Sequence, residues 1–300
     1  MTTVPCVSPK TVLFRTERRL ATVGFVHHAV ELAQQWSVDA VAAASVIDDE
    51  VNIVGSRETN FPLASLTKLM TALGVLIAVE EGTVSLDDDI ASVIDRPDLG
   101  PLRLDHVLSH SSGLAPETPP RRLAPDGQRR IYSNAGYELA ADAVARRSGI
   151  AFDTYLHEAV FAPLGMGSTT LIGSPASGAT STIDDVVRLL GELRSPRLIS
   201  ATTHRRMTTP QYPGLSGVLP GFGRQADNVW GLGPEIRGVK DPHWTGRHNS
   251  AATYGHFGRS GSFLWWDPVA ERGLIALTNR DFGEWAATEW PRLADAVLRE

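Results

Sequence analysis

The segment Phe61-Pro-Leu-Ala-Ser-Leu-Thr-Lys68 begins an apolar run that continues to Val79, and Lys68 is the only charged residue in that run. The pattern predicts a helix over about Ala64 to Glu81, which Gly82 is suited to end. Because this helix is apolar nearly all round, we expect it to lie in the middle of the protein.

Ser65 and Lys68 lie three residues apart, so a helix places them on one face. A serine at a helix start lies near unpaired N–H groups, which favour a developing negative charge. Burial lowers the pKa of a lysine and suits it to act as a general base. The pattern is equally that of an N-cap serine followed by a lysine that extends to solvent, because Ser-x-x-Lys alone is weakly specific.

A second cluster reads Arg130-Ile-Tyr-Ser-Asn-Ala-Gly-Tyr137. Tyr132 is a candidate to carry a proton between a nucleophile and a leaving group, if nearby positive charge lowers its pKa. Asn134 is a candidate to orient Lys68 and to bind an acyl substrate. The alternative is a helix N-cap at Ser133 or Asn134, with Tyr132 packed behind it.

A third cluster reads Tyr254-Gly-His-Phe-Gly-Arg-Ser-Gly261 and is expected to enter a strand. Glycines such as Gly258 let a substrate backbone approach a strand edge. The N–H of Arg259 is a candidate partner for that of Ser65 in an oxyanion hole. His256 is a candidate hydrogen-bond donor or electrostatic helper, although a lone histidine here is also compatible with a core or strand-end position.

Strands are predicted near both ends of the chain. They form two hairpins, one from residues 40–47 and 51–55 and one from residues 261–266 and 273–279. The other predicted elements are an amphipathic helix from Glu17 to Trp36, helices and loops without a convincing strand from Asp87 to Gly191, a surface loop from Leu215 to Asn228, and a final helix over about Glu284–Arg299 with Pro291 in its first turn. This order predicts an α/β (α+β) fold in which the two ends share one antiparallel sheet flanked by helices, with a helical insertion between them.

The predicted organisation is an N-terminal tail over residues 1–16 and a single domain over residues 17–300. Within that domain, the sheet region is expected at about 17–60 and 226–300, and the mainly helical region at about 61–225.

Composition excludes several classes of protein. Of 300 residues, 42% are hydrophobic, and 28 Lys and Arg against 34 Asp and Glu give a net charge of −6, so neither nucleic acid nor an anionic membrane is an expected partner. Cys6 is the only cysteine, so the chain forms no internal disulfide. No secretion signal is recognised in the N-terminal sequence, and a cytoplasmic location is therefore expected. The sequence has no Gly-x-Ser-x-Gly, phosphate-binding-loop or zinc-protease motif.

Taken in order, the three clusters resemble the serine β-lactamase and penicillin-binding-protein superfamily, and specifically its class C-like branch of esterases and peptidases. The resemblance covers roughly Val38 to the C-terminus. Ser65 to Lys68 matches the Ser-x-x-Lys motif, Tyr132 to Asn134 matches Tyr-x-Asn, and His256-Phe-Gly258 occupies the place of Lys-Thr-Gly. Further similar segments are Leu108-Ser-His-Ser-Ser-Gly-Leu114, Phe161-Ala-Pro-Leu-Gly-Met166 and Leu277-Thr-Asn-Arg280.

The resemblance implies a β-lactamase-like fold and an acyl-enzyme mechanism without metal or cofactor. In it, Ser65 attacks a carbonyl, Lys68 and Tyr132 handle the proton, and Asn134, His256, Gly258 and Arg259 contact the substrate. His110 is expected to be structural. His256 replaces a lysine that helps to hold the substrate carboxylate in penicillin-recognising relatives, although Arg259 is a candidate substitute.

The expected function is therefore that of an intracellular carboxylesterase acting on a small ester or amide. The alternatives are a D-alanyl-D-alanine carboxypeptidase, a weak β-lactamase, or a catalytically inactive binding protein on the same fold.

Overall fold

A computed structural model describes residues 29–300 of the chain. The predicted tail and most of the predicted helix at 17–36 lie outside these residues, and the described end of that helix is a 3₁₀ helix at Ala29–Gln35. The strands are β1 Val41–Ile47, β2 Glu50–Gly55, β3 Phe61–Pro62, β4 Thr170–Leu171, β5 Ala179–Ser181, β6 Gly217–Leu219, β7 Gly223–Gln225, β8 Glu235–Ile236, β9 Tyr254–Phe257, β10 Phe263–Asp267 and β11 Arg272–Thr278.

The helices lie mainly between β2 and β8. They are α1 Thr67–Glu80, α2 Ile90–Val93, α3 Leu104–Leu108, α4 Asn134–Ser148, α5 Phe152–Leu156, α6 Ala162–Leu164, α7 Ile183–Arg194, α8 Ala201–Thr208 and α9 Glu284–Val297, with 3₁₀ turns at Ala64–Leu66 and Pro97–Leu99 and a π-helical turn at His157–Phe161. Within residues 29–300, no helix has both the length and the apolar character needed to cross a membrane.

One antiparallel sheet has the strand order β2-β1-β11-β10-β9-β8 and contains strands from both ends of the chain. Successive side chains of a strand alternate between the two faces of the sheet. Trp266 and Ile275 accordingly lie in a core with α1 and α7, whereas Trp265 and Leu274 lie in a second core with α9. The expected mixed fold with a helix-flanked antiparallel sheet is confirmed.

Three local predictions were wrong. The segment Leu215–Asn228 contains the β6–β7 hairpin, whose strands are too short to show an alternating pattern. Tyr254–Phe257 is a separate strand that turns back at Gly258 into β10, and does not continue into it. Two short strands, β4 and β5, also occur between residues 87 and 191.

Pro291 was expected in the first turn of the final helix but lies inside α9. The proline removes one helical hydrogen bond. The buried stripe of Ala286, Trp290, Leu293 and Val297 continues on both sides of it, so packing against the sheet holds the helix together.

Candidate active site

Ser65 lies in the 3₁₀ turn that leads into α1. The residue before it, Ala64, has a φ of 45°, in the left-handed region that an alanine rarely adopts. The end of β9 comes close to this turn, because a Cβ on Gly258 would lie 2.3 Å from the Leu63 carbonyl oxygen. A glycine at position 258 is therefore required for the strand end to approach the serine.

A short chain of hydrogen bonds connects three of the candidate catalytic side chains. Tyr132 Oη donates to Ser65 Oγ at 2.7 Å, and Lys68 Nζ lies 3.3 Å from the same oxygen. Lys68 Nζ also lies 4.7 Å from the centroid of the Tyr132 ring. Residues separated by 67 positions in the sequence thus meet at one serine oxygen.

Lys68 is fully buried among polar acceptors. Its Nζ donates to Asn134 Oδ1 at 2.6 Å and to the carbonyl oxygen of Ala176 at 2.9 Å. Burial lowers the pKa of Lys68 to about 7, while the negative charges of Glu117 and Glu138 partly oppose that shift. A lysine in this state is half neutral near pH 7 and is able to accept a proton from Ser65.

Tyr132 does not meet the condition set for its role as a proton carrier, which was a pKa lowered by nearby positive charge. Burial raises this pKa well above the ordinary value, and the negative charge of Glu117 adds to the increase. The hydrogen bond to Ser65 opposes the shift only in part. The side chain is therefore a neutral phenol, which can relay a proton but is not itself a base.

His110 holds the backbone on both sides of Tyr132. Its carbonyl oxygen accepts from the Ile131 N–H at 2.9 Å, and its Nδ1 accepts from the Ser133 N–H at 3.1 Å. Its ring packs on that of Tyr132 with 4.6 Å between centroids. These contacts agree with the structural role expected for His110.

Asn134 begins α4 and has both ends of its amide occupied. Its Oδ1 accepts from Lys68, and its Nδ2 donates to Glu117 Oε1 at 2.8 Å. The sequence did not indicate Glu117 as a site residue, because it lies in an irregular loop where no periodicity marks it as a neighbour of Asn134. The contact fixes the orientation of the amide and places a negative charge at the mouth of the site.

His256 is buried and lies next to Tyr132 and Trp230, with ring centroids 5.9 and 5.4 Å apart. Its Nδ1 lies 2.7 Å from the carbonyl oxygen of Phe257, which requires the proton to be on Nδ1. Burial and the charge of Lys68 lower its pKa to about 3, so the ring is neutral. The Nε2 atom is consequently a buried acceptor without a partner in the described chain, and the expectation of a donor is corrected.

Arg259 lines the same cleft as Ser65, and its side chain extends largely into solvent. The side chain is 88% exposed, with Nε 3.9 Å from Asp281 Oδ2. Among residues 29–300, neither the Ser65 N–H nor the Arg259 N–H has an acceptor, and both residues line the same cleft. Two free N–H groups beside a nucleophile are the components of an oxyanion hole.

The cleft around Ser65 has a volume of about 390 Å³ and mainly apolar walls. The β6–β7 hairpin contributes Leu219 and Pro220, which the sequence analysis had assigned to a surface loop. Trp230, Phe257 and Phe282 also line the cleft. This lining suits a small apolar acyl or alcohol group.

Glu235 also borders the cleft, and sequence reasoning missed it. Its buried carboxylate bonds to Lys240, His243 and Trp244. Burial alone would raise its pKa, but His243 and Lys240 hold it at about 2. The group is a paired structural anion next to the site. In the part of the chain that is described, no three His, Cys, Asp or Glu side chains converge on a potential metal position.

Comparison with known proteins places this geometry in a family. A β-lactamase of Mycobacterium bovis is 47% identical, with a TM-score of 0.85 over 90% of this chain and 98% of that chain. The D-alanyl-D-alanine-carboxypeptidase/endopeptidase AmpH of Escherichia coli is 30% identical, and the acyltransferase mokF of Monascus pilosus is 28% identical.

The matches to the last two proteins are partial. They cover 38% and 43% of this chain and only 37% and 42% of the relatives' own lengths. The model of the beta-lactamase family, in contrast, matches residues 31–299. The chain belongs to the beta-lactamase family.

Proposed function

We propose that the protein is a serine hydrolase that cleaves a small ester or amide through an acyl-enzyme on Ser65, most simply a carboxylesterase. The observation that carries this proposal is the hydrogen-bonded chain from Tyr132 Oη to Ser65 Oγ and Lys68 Nζ. A serine that acts as a nucleophile needs neighbouring groups that take its proton and pass it on, and Ser65 Oγ contacts two such groups.

In the proposed first step, Ser65 Oγ attacks the substrate carbonyl and its proton passes to neutral Lys68. The carbonyl oxygen becomes negative and is stabilised by the N–H groups of Ser65 and Arg259. The bond to the leaving group then breaks, and Tyr132 Oη gives that group a proton which Lys68 replaces. Neutral Lys68 then takes a proton from a water molecule as that water attacks the acyl-enzyme. The bond to Ser65 Oγ breaks, the acid leaves, and Lys68 returns the proton to Ser65 Oγ.

The surroundings of the serine favour a neutral substrate. Its walls are apolar, His256 is neutral, and Glu117 places a negative charge at the mouth of the cleft. Among the described residues that line this cleft, there is no buried cation for a carboxylate such as that of a penicillin or of a peptide ending in D-alanine, and the one buried cation that contacts Ser65 is Lys68. Because the similar proteins include a β-lactamase and a D-alanyl-D-alanine-carboxypeptidase, β-lactam and D-alanyl-peptide cleavage are the alternatives to test.

The pH dependence of ester hydrolysis tests Lys68 as the base. Because neutral Lys68 is the active form, kcat/KM for p-nitrophenyl butyrate is expected to rise with pH with a midpoint near 7. Glu117→Gln keeps an acceptor for Asn134 but removes a charge that raises the pKa of Lys68, so its midpoint should move to lower pH. A flat profile from pH 5 to 10, with chemistry rate-limiting, contradicts the assignment.

Substrate preference tests the ester proposal against its alternatives. In wild type, kcat/KM for p-nitrophenyl butyrate should exceed that for nitrocefin by about ten- to a hundredfold. This factor corresponds to the lack of one charge-assisted hydrogen bond to the nitrocefin carboxylate, which is worth roughly 1.5–3 kcal/mol. His256→Lys should narrow this ratio by restoring a cation. Arg259→Ala is the matched control, and a selective loss of nitrocefin turnover in it would identify Arg259 as a carboxylate anchor. Equal or faster turnover of nitrocefin by wild type would favour the β-lactamase alternative.

A further inference from the structure

A second groove continues from the cleft on the far side of Tyr132. It has a volume of about 500 Å³ and shares Tyr132 and Pro220 with the cleft around Ser65. One wall is the segment that precedes α4, and the other is the β6–β7 hairpin, which contributes Gly217 and Val218. The phenol that contacts Ser65 therefore forms part of the boundary between the two spaces.

The groove is positively charged. Arg129 and Arg224 lie exposed on its rim, and neither forms an ion pair within residues 29–300. The guanidinium of Arg130 is buried, and its hydrogen bonds go only to carbonyl oxygens, among them those of Ser109 and Asn228. Although burial lowers the pKa of Arg130 to about 10, this side chain stays charged at neutral pH. None of the residues that line the groove is acidic.

The walls between these cations are apolar. Val218 is 59% exposed and Leu123 is 39% exposed, so both present apolar surface to the groove. Pro116 and Ile131 complete the same surface. A groove with apolar walls and an arginine rim complements an amphiphilic anion, because its aliphatic part covers the walls while its charged end meets the guanidinium groups.

The catalytic geometry indicates which part of a substrate enters this groove. Tyr132 Oη is the group that protonates the leaving atom, so the leaving group lies beside the Tyr132 ring when the acyl bond breaks. The groove is the space that adjoins the other side of this ring. Glu117 and neutral His256 disfavour an anion next to Ser65, so the charge is accommodated only at a distance from the scissile bond.

We propose that this groove binds the leaving-group portion of the substrate and takes a terminal anionic group, carboxylate or phosphate, at Arg129 and Arg224. The inference rests on the proposed hydrolase function and narrows its substrate class to esters or amides of an amphiphilic, anionic alcohol or amine.

The test uses butyrate esters of ω-hydroxy acids with 6, 8 and 12 carbon atoms, each paired with its uncharged primary amide. A third series carries a terminal phosphate in place of the carboxylate, which distinguishes the two anions. We expect wild type to show a higher kcat/KM for at least one anionic ester than for its amide partner. Raising the salt concentration should reduce this preference by screening the exposed charges.

The double variant Arg129→Ala, Arg224→Ala should lower the ratio of anionic to amide kcat/KM by about three- to tenfold, because each exposed charge pair contributes modestly. Turnover of the amide esters should change little. The double variant Arg146→Ala, Arg147→Ala, which removes two exposed arginines from the last turn of α4, is the control for net charge. An unchanged ratio in Arg129→Ala, Arg224→Ala, or an equal fall in the control, overturns the proposal.

Binding separates this proposal from the hydrolase function itself. Calorimetry with Ser65→Ala and the intact esters should show tighter binding of the anionic ester than of its amide, with the difference lost when both arginines are replaced. If wild type turns over none of the esters while Ser65→Ala shows this binding preference, the proposed hydrolase function is contradicted and the proposed role of the groove is supported. Turnover of the amide esters without any preference would support the hydrolase and overturn the groove.

Discussion

Ser65→Ala is expected to lower kcat/KM for p-nitrophenyl butyrate by roughly 10⁴- to 10⁶-fold and to abolish labelling by a fluorophosphonate probe. Within residues 29–300, Ser65 Oγ is the atom that hydrogen-bonds to both Tyr132 Oη and Lys68 Nζ, and the variant has no hydroxyl at this position to form the acyl bond. The fold should survive, because removing one partly accessible hydroxyl costs on the order of 1 kcal/mol.

Two controls make this result specific. Ser195→Ala alters an exposed serine after α7 and should keep both labelling and turnover. Thermal unfolding of Ser65→Ala should remain close to that of wild type, which separates loss of chemistry from loss of structure. Labelling that persists in Ser65→Ala would place the nucleophile elsewhere. Labelling absent from well-folded wild type would instead favour the inactive binding protein.

Local sequence patterns correctly predicted the elements whose contacts join residues that are close together in the sequence. The β1–β2 hairpin and the β10–β11 hairpin each connect through a short turn, and strands β1, β10 and β11 are nearly continuous apolar runs that are buried along almost their whole length. Ser65 and Lys68 likewise meet because one helical turn separates them. For such features the local geometry of the chain is sufficient.

The features that sequence reasoning missed depend on contacts made across the fold. Nothing local relates Glu117 to Asn134, or Leu219 to the cleft around Ser65. Whether the pKa of Tyr132 is lowered was left open for the same reason, because the depth of burial decides this pKa and no short motif records that depth. His256 was expected as a donor or an electrostatic helper, with a core or strand-end position as the alternative, and only the carbonyl of Phe257 beside its Nδ1 shows that the other nitrogen is an acceptor.

Lys68→Met should be the second most damaging change for activity and should also alter how stability depends on pH. Methionine has nearly the volume of lysine and suits the apolar surroundings of α1, so the variant should fold. It has no base to accept the Ser65 proton, and kcat/KM for p-nitrophenyl butyrate should fall by about 10²- to 10⁴-fold. Turnover within a few-fold of wild type would exclude Lys68 as the base.

The effect on stability follows from where Lys68 holds a proton. Its pKa is about 7 in the folded protein and about 10.4 when the chain is unfolded, so between these values the unfolded state binds more protons than the folded state. The free energy of unfolding of wild type therefore rises with pH through that window, and below pH 7 this residue contributes no slope. The methionine side chain of the variant does not titrate. The other titratable groups contribute equally to the pH dependence of stability in both proteins, so their contributions cancel when the two are compared.

The unfolding free energy of wild type should thus rise relative to that of Lys68→Met by about 1.4 kcal/mol for each pH unit between roughly 8 and 10. Urea unfolding at pH 6, 8, 9 and 10 measures it. At pH 6 the wild type bears the full cost of a buried ammonium, and the variant instead leaves Asn134 Oδ1 and the Ala176 carbonyl without their donor. A difference independent of pH would show that Lys68 titrates as an ordinary lysine, and the general base would then have to be sought in another group.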